Sequence, residues 1–118
     1  HNRVFRPDVS VAALPQDKKA SLRDFDQGGS QSVCLLQLAP DAELTKRYHA
    51  RHDMTMFVVS GSAIVMVEET RYFVTPGSAV LIPRLTAYSV MPHKTDEEFR
   101  ALLVYSPPFR GADTVLEK

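Results

Sequence analysis

The sequence predicts an all-β domain, a sandwich or barrel of short antiparallel strands. Two observations carry that expectation. Runs rich in Val, Ile, Leu, Phe and Tyr recur along the chain, and turn-forming residues cut them off before a helix could develop. The single segment with helical character, residues 95–103 behind Asp96-Glu97-Glu98, runs on into the apolar Val104 and Tyr105. It therefore reads as a loop followed by a strand.

The strand candidates, in order, are residues 32–38, 54–60, 62–67, 71–74, 79–82, 87–90 and 100–105. Punctuation falls at Gly28-Gly29, Pro40-Asp41, Gly61, Pro76-Gly77, Pro92 and Pro107-Pro108. The most legible stretch is 61–82. Residues 62–67, the polar turn Glu68-Glu69-Thr70 and residues 71–74 make a hairpin. Pro76-Gly77 turns the chain into the next strand, which stops at Pro83 because proline cannot donate to a central ladder. The close spacing of strands with no intervening helices argues against βαβ units.

At 118 residues the chain is the size of one domain, and residues 1–118 are expected to form it. Fourteen basic residues balance fourteen acidic ones, so no general field favours nucleic acid or an anionic membrane. The pairs Lys18-Lys19 and Lys46-Arg47 read as solvated faces. A lone Cys34, within an apolar run, excludes an internal disulfide and a cysteine-built zinc site. No apolar stretch has the length of a membrane helix and no signal-peptide pattern is visible, so a reduced, cytoplasmic protein is the expectation. No Gly-x-Ser-x-Gly elbow and no phosphate-cradling glycine loop is present.

The stretch from Asp41 to Pro92 resembles the two motifs of the cupins. The first motif carries a leading glycine, a His-x-His pair, a glutamate and a closing glycine. The second carries a glycine, a Pro-x-Gly, a histidine and an asparagine. Gly61 closes the first motif, about 41–61, and puts His49 on its second histidine. Gly77 and Pro83 frame the second, about 77–92. Phrases such as Phe57-Val58-Val59-Ser60-Gly61 and Pro76-Gly77-Ser78-Ala79-Val80-Leu81-Ile82-Pro83 resemble those of small single-domain cupins of the RmlC-like kind. The resemblance implies a cupin double-stranded β-helix, that is, a jelly-roll barrel whose mouth is a ligand or metal pocket. The chain departs from the motifs where the metal ligands belong. Arg47 replaces the first histidine, Met54 the glutamate, Leu85 the internal glycine, Tyr88 the second-motif histidine and Pro92 the asparagine.

Strand alternation puts Thr45, Arg47 and His49 on one face, Met54, Met56 and Val58 on another, and Thr86, Tyr88 and Val90 on a third. If the cupin alignment holds, Arg47, His49, His52, Met54 and Tyr88 converge on one pocket. His52 is either a pocket residue or a surface loop histidine, and His93 reads as a solvated loop residue. Met54 and Met56 are most simply core filler. Arg47 either swings out to solvent or, turned inward, offers a planar fork to a carboxylate or phosphate.

Two functions follow from this reading, beside a structural subunit whose pocket is vestigial. One is a binding module for a small, anionic, sugar- or carboxylate-like molecule, with at most weak metal binding. The other is a metal-dependent enzyme of isomerase, lyase or dioxygenase type, in which His49, His52 and Tyr88 hold a divalent Zn, Ni, Fe or Mn ion. A homodimer is expected, because small cupins resembling this one pair through their barrels. Val33 and Leu35, alternating with Cys34 and Leu36, also make one strand apolar on both faces, to be covered on its outer side by the N-terminal segment or by a partner.

Overall fold

A computed structural model of the protein describes residues 19–27, 29–93, 97–108 and 114–116. They form ten strands and, among the described residues, no helix. The strands are β1 (Ala20–Gln27), β2 (Ser32–Leu38), β3 (Leu44–His49), β4 (Asp53–Ser60), β5 (Ala63–Val67), β6 (Thr70–Val74), β7 (Ala79–Ile82), β8 (Tyr88–Pro92), β9 (Phe99–Ser106) and β10 (Thr114–Leu116). Two five-stranded sheets run in the orders β1-β2-β9-β4-β7 and β10-β3-β8-β5-β6, with antiparallel pairing throughout. This is the jelly roll expected from the sequence.

Strand alternation builds the core. Cys34, Leu36 and Leu38 of β2, Met54, Met56 and Val58 of β4, and Ala101, Leu103 and Tyr105 of β9 point inward from the first sheet. Ala63 and Val65 of β5 and Tyr88 and Val90 of β8 meet them from the second. Each set is spaced by two, so one face of each of these strands lies in the barrel.

Gly61, which joins β4 to β5, has φ +78, and a Cβ there would meet the Glu98 carbonyl oxygen at 2.5 Å. Only glycine fits that close approach. Between β5 and β6 the turn is held by Glu68, whose amide donates to the Ala87 carbonyl while its carboxylate accepts from the Ala87 amide. That exchange fixes the start of β8, and with it Tyr88.

Two expectations are corrected. Thr45 does not share the inner face with Arg47 and His49. A bulge in β3 puts three steps between Leu44 and Arg47 against two between their partners Val90 and Tyr88, so Leu44 and His49 are buried while Thr45 is exposed. Pro92 is not outside the strand but its last residue, buried and paired with Ala63. Leu35, on the outer face of β2, is wholly buried.

Candidate functional site at the barrel mouth

The end of β3, the start of β4 and the start of β8 bring together most of the residues that the sequence singled out. His49 ends β3 and is buried. Tyr88 opens β8, is 1% exposed, and pairs across the sheet with Arg47. The Nε2 of His49 and the hydroxyl of Tyr88 lie 2.7 Å apart, a strong hydrogen bond inside the barrel. Burial holds the Tyr88 phenol far above the usual tyrosine range. The nearby Arg47 charge and a hydrogen bond with Tyr105 pull the other way, without overcoming it. Tyr88 is thus a neutral hydroxyl at any physiological pH, able to donate a proton in a hydrogen bond.

Tyr105, on β9, is the residue that the motifs did not reveal. The ring of His49 packs edge-on against it at 5.2 Å between centroids, and the ring of His52 does so at 6.3 Å. With its hydrogen bond to Tyr88, Tyr105 touches all three polar rings of the mouth. The available signal was its parity with Ala101 and Leu103, which places it inside the barrel.

The other candidates separate. His52 is buried and its Nε2 donates to the Pro108 carbonyl at 3.0 Å, so it is neither exposed nor a loop histidine at the surface. Met54 is fully buried among core side chains. Arg47 is half-buried, and its guanidinium turns back along its own strand, Nε to the Thr45 carbonyl at 2.8 Å and Nη2 to the Thr45 hydroxyl at 3.2 Å. His93 is exposed and packs edge-on against Phe73, away from this cluster.

The rim is held by the turn between β7 and β8. Arg84 donates to Asp53 from its backbone amide at 3.0 Å and from Nε at 3.2 Å, while the Leu85 amide donates to the His49 carbonyl at 2.8 Å. The Arg84 side chain, with its amide, holds the Asp53 carboxyl below the usual carboxylate range.

Cupins commonly hold a divalent ion at this mouth. Among the described residues no group of three His, Cys, Asp or Glu side chains could hold a metal. His49 and His52 each direct Nε2 at a protein partner, the Tyr88 hydroxyl for His49 and the Pro108 carbonyl for His52. The residues present do not fit a firmly held ion.

The two packed antiparallel sheets and the inward rings at their mouth define a cupin, a double-stranded β-helix domain. The chain belongs to the family described as Mif2/CENP-C like, which it matches over residues 23–104. Solved structures of similar fold include the cupin domain of Cnp3 from Schizosaccharomyces pombe, at 18% identity and a TM-score of 0.76, covering 89% of this chain and 75% of that one. KdgF from Halomonas sp. is similar at 17% identity and a TM-score of 0.79, with 92% and 97% covered. Pac13 from Streptomyces, a nucleoside dehydratase, is similar at 14% identity and a TM-score of 0.75, with 100% and 92% covered. At these identities the likeness shows the fold. No curated protein matches the sequence.

Proposed function

We propose that the barrel mouth binds a small anionic molecule, carboxylate- or sugar-like, through Arg47, His49 and Tyr88, without depending on a metal. The observation that carries this reading is the buried His49–Tyr88 pair with the cationic Arg47 as the cross-strand neighbour of Tyr88. A neutral hydroxyl and an imidazole supply directional polar contacts, and the guanidinium supplies charge and a planar fork once it leaves Thr45. Arg47 also repels a cation placed beside Tyr88, which disfavours the metal-dependent alternative. A thermal-shift series with small carboxylates and sugar phosphates tests the reading, because a ligand that binds only the folded state raises its stability. Anions should raise the melting temperature of the wild type and not of Arg47→Ala. An absence of any shift across the series would remove the reading.

The 2.7 Å contact between His49 and Tyr88 also favours a second reading, a lyase-type enzyme in which that pair moves a proton. Pac13 shows that the fold accommodates a dehydratase. Loss of water from a nucleoside, followed by mass spectrometry and abolished in Tyr88→Phe, would support it. Unchanged nucleosides after incubation with the wild type would end it.

A homodimer is proposed as well. Leu81 of β7 and Phe57 of β4 are exposed at 67% and 45% on the outer face of the first sheet. The register continues that face through the half-buried Leu102 and Val104 of β9. A second copy covering this face would remove the apolar surface from water.

A further inference from the structure

We propose that Leu85 is a specificity-determining residue of the mouth, and that the ligand is a carboxylate carrying an apolar chain. The proposal rests on the anion-binding reading of Arg47, His49 and Tyr88 and names its substrate class. Leu85 lies in the turn between β7 and β8 with φ +65, a left-handed backbone that leucine disfavours and glycine adopts freely. The cupin pattern has its internal glycine at this point. The chain instead holds a strained leucine, and the strain is not offset by burial, because the residue is 65% exposed. A strained backbone carrying a large exposed apolar side chain points to a role outside the fold's own packing.

Position supplies the role. The Leu85 amide donates to the carbonyl of His49 at 2.8 Å, so this residue is fixed on the rim beside the buried His49–Tyr88 pair. The neighbouring Arg84 is anchored to Asp53 on the other side, which keeps the turn in place. A carboxylate addressed by Arg47 at the mouth would leave the rest of its chain at the rim, where Leu85 is the exposed apolar contact.

The test is isothermal titration of straight-chain monocarboxylates, from acetate to octanoate, into wild type, Leu85→Gly and Arg47→Ala. In the wild type, affinity should rise about twofold or more for each added methylene. Leu85→Gly should keep acetate binding and lose the dependence on chain length. Its melting temperature should hold or rise, because glycine relieves the left-handed turn. Arg47→Ala should lose binding of every member, whatever its chain length. Equal wild-type affinities for all chain lengths would overturn the role of Leu85 and leave the anion site standing. A complete failure of the wild type to bind any member would overturn both. A change of oligomer mass in Leu85→Gly would also overturn the proposal, since the leucine would then belong to a subunit interface.

Discussion

At the residue scale, the barrel depends on a few positions where one side chain, or none, satisfies the geometry. Gly61 is one, pressed against the Glu98 carbonyl with a positive φ. Gly61→Ala should cost about 2 kcal/mol or more, because the clash is with backbone and cannot be relieved by a rotamer change. Chemical denaturation measures that loss, and an unchanged midpoint would contradict the packing described. Tyr88→Phe should cost about 1–3 kcal/mol, since it leaves the buried His49 Nε2 without the hydroxyl 2.7 Å away. Both residues were legible beforehand, Gly61 as a motif glycine and Tyr88 as the replacement for a motif histidine. Tyr105 was not, because nothing in a strand's alternation distinguishes a core aromatic from one that also touches the site. The inner and outer orientation of Arg47 was likewise open, and its bonds to Thr45 depend on a bulge that no local pattern announced.

At the scale of elements, the strands with dense β-branched and aromatic runs could be read, with β2 and β7 falling where expected and β4, β5, β6, β8 and β9 shifting by a residue or two at their ends. The strand β3 was read only through the alternation of Thr45, Arg47 and His49, and the strands β1 and β10 were missed. Ala20–Gln27 carries charges at Arg23, Asp24 and Asp26, and Thr114–Leu116 is short, so neither has an apolar alternation strong enough to announce a strand. Both are edge strands, whose pairing is set by the neighbours and not by their own composition. The turn between β7 and β8 gives this scale its prediction. The folded Asp53 carboxyl is held below its ordinary 3.8 by Arg84, so its contribution to stability is complete above that value and is lost as pH falls through the lower folded value. Melting temperatures taken from about pH 5 downward should therefore decline less steeply in Asp53→Asn than in the wild type. The difference should be small, because the Arg84–Asp53 pair faces solvent. Identical slopes would contradict a structural role for the pair.

At the scale of the whole molecule, the fold class was fully legible because turn chemistry and strand periodicity agreed with the two motif frames. The partner and the ligand were not, since both depend on which exposed groups another molecule meets. Light scattering at micromolar concentration should give the mass of a dimer for the wild type and of a monomer for Leu81→Asp, which places a charge on the outer face of the first sheet. A monomeric wild type would withdraw the dimer. An anion site that works without a metal is tested by titrating butyrate into protein stripped with a chelator and into protein supplied with zinc. The affinity should be the same in both and be lost in Arg47→Ala. Binding that vanishes on chelation and returns with zinc would contradict it.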